Sequence, residues 1–269
     1  MKSLILPALA TVALASHSHH HLHKDEPLVQ QKTCDDWVTF DLPNKLYVMN
    51  NKWGKDQATG DSYQCVTANP DGSVQVDYRW VTKPGIGQTV KGYPAMISGW
   101  HWGYRYGEGT GNLPARVYNR PKMMTTWNVK QWKKTDFEQM NTSWDIWLGG
   151  IDERNPALPD VEVMIWINHV KQYPIGSKVE GGVNIWGQSW DLWKGQMDNG
   201  QKRWDVYSFV HTSGTWAVNN QDLFAFFQYL WEKKNWLDGR RYILGIEAGS
   251  EIMDGEGSFT YNYKLNVSQ

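Results

Sequence analysis

A carboxylate interrupts an otherwise apolar run at residues 161–168, which read Val-Glu-Val-Met-Ile-Trp-Ile-Asn. Side chains alternate between the two faces of a strand. One face would then be wholly aliphatic, formed by Val161, Val163, Ile165 and Ile167. The other face would carry Glu162, Met164, Trp166 and Asn168. An acid beside a thioether and an indole is more typical of a cleft floor than of a solvent-facing strand, although a lone surface glutamate is the plain alternative.

Two further segments place acids on apolar strands. In residues 143–148, Asp145 shares a face with Trp147. In residues 242–253, alternation puts Glu247 and Glu251 on one face. The opposite, core-facing side would then hold Tyr242, Leu244, Ile246 and Ala248. Gly249 permits a bulge before Glu251, so spacing alone does not choose between the two glutamates.

Acids on aromatic-lined strands suit the cleavage of a glycosidic bond. One carboxylate must be ionised to attack or stabilise the anomeric carbon, and another must stay protonated to give a proton to the leaving oxygen. Apolar rings nearby raise the pKa of a carboxyl group by removing water from it.

The composition is consistent with a sugar ligand and argues against binding to nucleic acid or to an anionic membrane. The chain has 17 Trp and 13 Tyr among 269 residues. Indole faces stack on the C–H faces of sugar rings, although an aromatic sandwich core would also use them. The net charge of −1 gives no electrostatic basis for binding nucleic acid or an anionic membrane.

The N-terminal region predicts secretion. Residues 1–15 resemble a signal peptide, with Lys2, an apolar stretch from Leu4 to Leu14, and small residues at the cleavage site. Residues 16–32 contain five His and are expected to form a disordered tail. Residues 33–269 contain no linker, repeat or low-complexity segment and are expected to form one extracellular domain. Cys34 and Cys65 are an even pair, which predicts a disulfide in an oxidising compartment.

The elements that position the acids are mostly strands. Short β-type runs bounded by Gly, Pro, Asn and Asp recur through the domain, which favours a sandwich or a barrel. One segment, from Asp222 to Lys233, instead has apolar residues at spacings of three and four. This predicts a single helix packed on a sheet, with Asn219 or Asn220 capping its start.

The ordered motifs of the domain resemble glycoside hydrolase family 12. They are Cys34-Asp35-Asp36-Trp37, Asn50-Asn51-Lys52-Trp53-Gly54, Cys65-Val66-Thr67, Tyr93-Pro94-Ala95, Gly99-Trp100-His101-Trp102-Gly103, Trp144-Asp145-Ile146-Trp147, Glu162-Val163-Met164-Ile165-Trp166-Ile167, Pro174-Ile175-Gly176, Tyr207-Ser208-Phe209-Val210 and Glu247-Ala248-Gly249-Ser250-Glu251. The Glu-x-Met-Ile-Trp signature at Glu162 is the most specific single motif, and the order of the whole series adds to it.

The resemblance implies an all-β fold, a jelly-roll β-sandwich of two antiparallel sheets. One α-helix would lie on the convex face and an open substrate cleft on the concave face. It implies a retaining endo-β-1,4-glucanase in which Glu162 is the nucleophile, Glu251 is the acid/base, and Asp145 hydrogen-bonds the nucleophile. It assigns substrate binding to Trp37, Asn51, Trp53, His101, Met164 and Trp166, although a purely structural role for His101 is equally open.

The resemblance further implies a monomer that acts on a β-glucan polysaccharide without a metal or cofactor. The sequence departs from the family at Ile252-Met253, where many members have Pro-Phe after the acid/base. Two other functions stay open: a related jelly-roll xylanase, and a non-catalytic carbohydrate-binding or wall-loosening protein. Asn141 and Asn266 begin glycosylation sequons, and Asn141 lies directly before the Asp145 strand.

Overall fold

The computed structural model describes residues 29–105, 112–152 and 156–269. Strands dominate these ranges, as the alternating runs predict. They are β1 (Gln31–Thr33), β2 (Thr39–Leu42), β3 (Leu46–Met49), β4 (Tyr63–Ala68), β5 (Val74–Trp80), β6 (Ala95–His101), β7 (Tyr104–Arg105), β8 (Ala115–Arg116), β9 (Lys122–Lys133), β10 (Gln139–Leu148), β11 (Val161–Val170), β12 (Ser177–Ile185), β13 (Gln188–Asp198), β14 (Arg203–His211), β15 (Ala217–Asp222), β16 (Tyr242–Gly249) and β17 (Ile252–Ser268). The helical segments are α1 (Phe224–Gln228), a π-helical turn (Tyr229–Lys233), and 3-10 turns at Pro43–Lys45, Lys55–Gln57 and Val117–Asn119.

The strands form two sheets that stack as a jelly-roll sandwich, which confirms the predicted fold. The outer sheet has the order β1-β4-β5-β17-β9-β15. The inner sheet has the order β2-β3-β6-β16-β10-β11-β14-β13-β12. Neighbours are antiparallel except β11 and β14, which run parallel. The first residues of β17 also pair with β10 and so connect the two sheets.

The inner sheet has two different apolar faces. The face towards the outer sheet belongs to the main core, where the aliphatic residues of β11 and the residues Trp144, Ile146 and Leu148 of β10 are buried. The opposite face, called the cleft face below, carries a second cluster. Its fully or nearly buried members are Trp100, Trp147, Met164, Trp166, Trp204, Val206, Val210 and Leu244. The predicted alternation of β10 and β11 is therefore confirmed.

The alternation predicted for β16 is wrong at its start. Ile243 lies in the main core, whereas Leu244 lies on the cleft face. The cause is a bulge, because the pairing with β10 shifts register between Gly245 and Ile243. Gly245 allows this close passage: a Cβ there would lie 1.9 Å from the carbonyl oxygen of Trp100.

The helical segment begins at Phe224, two residues later than predicted, and continues to Lys233. Its apolar side packs into the main core, where the ring of Phe226 lies 4.9 Å from those of Trp190 and Phe209. The predicted caps were wrong, since Asn219 and Asn220 belong to β15. Asp222 instead accepts a hydrogen bond from the backbone N–H of Phe224 at 3.0 Å.

The N-terminal part of the domain is fastened by the Cys34–Cys65 disulfide, which confirms the predicted bridge. Strand β1 starts at Gln31, two residues before the predicted domain start, and pairs with β4. The predicted signal peptide and most of the predicted tail, residues 1–28, lie outside the described residues. Within the described ranges, no helix is long and apolar enough to cross a membrane.

Candidate active site

Four carboxyl groups converge at the centre of the cleft face. Asp145 of β10 is paired with Glu247 of β16 on one side and with Met164 of β11 on the other. Glu162 of β11 is paired with Trp147 of β10. Glu251 lies in the two-residue connection between β16 and β17. The charges of Glu162, Glu247 and Glu251 all act on Asp145, so the four acids form one electrostatic group.

Glu162 is 7% exposed and is held by one indole. Trp204 donates its Nε1–H to Oε2 of Glu162 at 2.7 Å, from the parallel neighbour strand β14. Burial, with the charges of Glu251 and Glu247, raises the pKa of Glu162 to about 8, and the Trp204 hydrogen bond acts in the opposite direction. The indole N–H therefore favours the ionised form of an otherwise desolvated carboxyl group.

Asp145 is equally buried and is surrounded by other acids. Burial, followed by the like charges of Glu162, Glu247 and Glu251, raises its pKa well above the ordinary value. Within the described residues, its Oδ1 atom has no hydrogen-bond partner. These conditions favour a protonated Asp145. The predicted hydrogen bond from Asp145 to Glu162 stays a prediction.

Glu251 has a more polar setting and is half-buried. Asn141 Nδ2 and Gln172 Nε2 both donate to its Oε2 atom, the second at 3.2 Å. Burial nevertheless raises the pKa of Glu251 to about 7, with these two donors acting in the opposite direction. Because Asn141 is fully buried in this contact, its sequon offers no accessible glycosylation site.

Glu247, the alternative that spacing left open, is fully buried on the cleft face. Its Oε1 atom lies 2.7 Å from Nδ1 of His101 and accepts the Nε1–H of Trp147 at 2.8 Å. His101 itself is only 5% exposed. The structure thus gives His101 the role of a buried partner for a carboxylate rather than an open contact surface.

The other predicted binding residues fall into two groups. Met164 and Trp166 lie beside the acids, and the Trp166 indole N–H points to the Met164 sulfur at 3.5 Å. Trp37 and Trp53 are about half exposed, near the end of β3. Asn51 lies between these two residues in the sequence and is buried. Its Oδ1 atom accepts a hydrogen bond from the Trp53 backbone N–H at 3.1 Å.

Sequence reasoning missed several residues that touch the acids or extend the cleft. Trp204 and Gln172 contact Glu162 and Glu251 directly. Trp193 packs against the cleft-face cluster. The ring centroid of the exposed Tyr173 lies 6.2 Å from that of Trp193. Trp204, Val206 and Val210 occupy alternate positions along β14, and this sequence pattern identifies β14 as a further strand of the cleft face.

A cleft floored by aromatic side chains, with acids of unlike environment at its centre, defines a sugar-cleaving enzyme on a jelly-roll scaffold. In the described ranges, no group of three or more His, Cys, Asp or Glu residues is arranged to hold a metal ion.

Comparison with known proteins identifies the family. Residues 44–267 match Glycosyl hydrolase family 12, and the chain belongs to this family. It is 35% identical to Endoglucanase S of Pectobacterium parmentieri over 219 residues, which are 80% of this chain and 78% of that protein. It is 26% identical to Endoglucanase A of Aspergillus kawachii over 246 residues, 88% of this chain and 93% of that protein.

Solved structures agree with this assignment. The native family 12 xyloglucanase of Bacillus licheniformis superimposes with a TM-score of 0.80 at 32% identity, over 88% of this chain and 100% of that chain. The family predicted from the motif series is confirmed, and the related jelly-roll xylanase is excluded as the family of this chain.

Proposed function

We propose that this chain is a secreted endo-β-1,4-glucanase that retains anomeric configuration, with Glu162 as nucleophile and Glu251 as acid/base. One observation carries this proposal: two carboxyl groups face the same cleft, and each is held by its own side-chain donors. Glu162 receives the indole N–H of Trp204, which favours its charged form. Glu251 has its pKa raised to about 7 by burial, so it holds a proton in weakly acidic solution.

The reaction requires an ionised Glu162 and a protonated Glu251. Protonated Glu251 gives its proton to the glycosidic oxygen while a carboxylate oxygen of Glu162 bonds to the anomeric carbon, and the C–O bond to the leaving sugar breaks. Glu251, now ionised, takes a proton from water. The water oxygen then bonds to the anomeric carbon and displaces Glu162, which regenerates both groups.

The cleft face supports an endo-acting enzyme on a β-1,4-linked glucan. Met164, Trp166 and Trp193 form an apolar floor next to the acids. Exposed rings at Trp37 and Trp53 offer sugar-stacking surfaces further away. Relatives named as endoglucanases and a xyloglucanase support the same polymer class.

The setting of the enzyme is inferred from its sequence. Residues 1–15 support export, and we assign them as a signal peptide. The catalytic domain is a single unit that works as a monomer on a soluble or cell-wall glucan.

Polymer hydrolysis tests the activity. We expect reducing-sugar release from carboxymethylcellulose, barley β-glucan or xyloglucan, with a rapid fall in viscosity that marks internal cleavage. Xylan should be a poor substrate. Binding to these polymers without any bond cleavage would instead support the non-catalytic alternative.

Proton NMR of the first-formed product tests the stereochemistry. A retaining pair has its carboxyl groups about 5–5.5 Å apart, and an inverting pair about 6.5–9.5 Å. The first anomer released from a β-glucan should be β. An initial α-anomer contradicts the roles assigned to Glu162 and Glu251.

A further inference from the structure

A buried contact between a histidine and a carboxyl group lies next to the proposed catalytic acids. Glu247 is fully buried, and its Oε1 atom lies within hydrogen-bond distance of both His101 Nδ1 and Trp147 Nε1. Two ring nitrogens at 2.7 and 2.8 Å stabilise a negative charge on this carboxyl group. Glu247 is thus held by two ring nitrogens, although it is not one of the two proposed catalytic glutamates.

The other oxygen of Glu247 points to a link with Asp145. The two residues are directly paired across β10 and β16, so their side chains leave the sheet on the same face. Among the described residues, Glu247 Oε2 and Asp145 Oδ1 are both buried without a hydrogen-bond partner. Two bare carboxylate oxygens in one dry space are costly, and a single shared proton removes the cost.

The donors around the acids decide where that proton resides. Glu162 receives an N–H from Trp204, and Glu247 receives one from Trp147. Asp145 Oδ1 lacks such a donor within the described part of the chain. Charge is thus favoured on the two glutamates and neutrality on the aspartic acid between them.

We propose that Glu247 is a positioning residue: it keeps the shared proton on Asp145, and Asp145 in turn leaves Glu162 ionised for attack. This inference rests on the proposed function, because it concerns the charge of the proposed nucleophile. His101 contacts Glu247 at the far end of this series.

The other titratable groups that the structure describes around Glu247 are two tyrosines and Glu251, and none of them takes over the role of Asp145. Burial raises the pKa of Tyr47 of β3 and of Tyr93, which precedes β6, and the charge of Glu247 raises each further, so both stay neutral. Tyr93 donates its hydroxyl to the backbone oxygen of Glu247 at 3.2 Å. Glu251 acts on the same cluster from the end of β16, as a like charge on Asp145.

The test uses a 2-deoxy-2-fluoro-β-cellotrioside with a dinitrophenolate leaving group. Such a leaving group needs no proton, so the rate of enzyme inactivation reports the ionised nucleophile without Glu251. The pH dependence of this rate is measured for the wild-type enzyme and for Glu247→Gln. Mass spectrometry of the digested enzyme identifies the labelled residue.

In Glu247→Gln, the acid limb should move about one unit towards lower pH, because removal of a negative charge lowers the pKa values of its neighbours. The plateau rate should fall about tenfold as the proton moves from Asp145 to Glu162. A label on a residue other than Glu162 overturns the proposed function. A label on Glu162 with an unshifted limb overturns only the role of Glu247.

Two control variants separate charge from structure. Glu247→Asp keeps the charge and should leave the acid limb in place, whatever its effect on the plateau. Glu138→Gln alters another buried glutamate, which accepts hydrogen bonds from Tyr78 and Gln131 on outer-sheet strands. It should leave the limb unchanged, and a shift there equal to that of Glu247→Gln contradicts the inference.

Dependence on Asp145 is the sharpest criterion. In an Asp145→Asn background, Glu247→Gln should lower the plateau less than about twofold, because no proton is left to redistribute. A further tenfold fall shows that Glu247 acts without Asp145 and overturns the proposal.

Carbon-13 NMR of aspartate-labelled wild-type enzyme tests the proton itself, independently of how well the variants fold. The Asp145 carboxyl signal, assigned from its loss in Asp145→Asn, should be that of the protonated acid at pH 6. An ionised Asp145 at this pH contradicts the inference.

Discussion

Glu162 and Glu251 share one cleft but occupy opposite kinds of environment. Glu162 projects from the middle of a central strand, is 7% exposed, and is bonded to an indole nitrogen. Glu251 follows a strand end, is half-buried, and is bonded to two side-chain amides. A rigid strand position suits a group that must form a covalent bond, whereas a position past a strand end suits a group that exchanges protons with leaving sugar and water.

The side chains around Glu162 and Glu251 also differ. Glu162 stands next to three other acids, so its charge depends on where the cluster keeps its protons. Glu251 has burial as the largest influence on its pKa and two amide donors against it. The comparison teaches that two carboxyl groups of one cleft, both with pKa values raised by burial, can be tuned separately because each has its own hydrogen-bond donors.

The largest effect should come from removing either group. Glu162→Gln and Glu251→Gln should each lower activity on polymer by more than about 10³-fold. A dinitrophenyl cellobioside distinguishes them, because its leaving group needs no acid. Glu251→Gln should still release a burst of dinitrophenol, and Glu162→Gln should release none. A burst from the Glu162 variant would reverse the two assignments.

Asp145→Asn should have the next largest effect, a loss of about 10- to 100-fold with a shifted pH profile. Asn keeps a donor next to Glu162 but removes the titratable partner. A full pH–rate curve for kcat/KM measures this. If Asp145 were an idle acid, the variant would keep full activity and an unshifted curve.

Trp204→Phe should change the Glu162 side alone. Loss of the indole N–H removes a bond to the charged form, so the pKa of Glu162 rises and the acid limb of kcat/KM moves up by about one unit. The alkaline limb should stay in place. Trp193→Phe, another cleft aromatic, is the matched control and should move neither limb.

Gln172→Leu should affect Glu251 instead of Glu162, and its effect should be the smallest of these variants. Glu251 loses one amide donor, so its pKa rises above about 7 and the acid stays protonated to higher pH. The alkaline limb should therefore move up by about half a unit, with the acid limb unchanged. Movement of the acid limb alone would assign Gln172 to the wrong carboxyl group.

Much of the site was accessible from sequence because strand alternation is a local property. The period of two placed Glu162 and Asp145 on the face opposite the aliphatic core, and the structure has them there. The same rule failed at Leu244, since a bulge at Gly245 depends on how closely β6 passes. The cap predicted at Asn219 or Asn220 failed for a related reason, because those residues lie within β15, where its pairing with β9 shifts register.

By itself the sequence determined the disulfide pair and, through its family motifs, the fold class, and it supplied the three acids whose roles are proposed here. Only the tertiary structure decided which groups tune them. Trp204 reaches Glu162 from 42 residues away, Gln172 reaches Glu251 from 79, and His101 reaches Glu247 from 146. Such contacts follow from strand order and register across the inner sheet. Local residue patterns carry no information about them, because a side chain's pKa depends on what other strands place beside it.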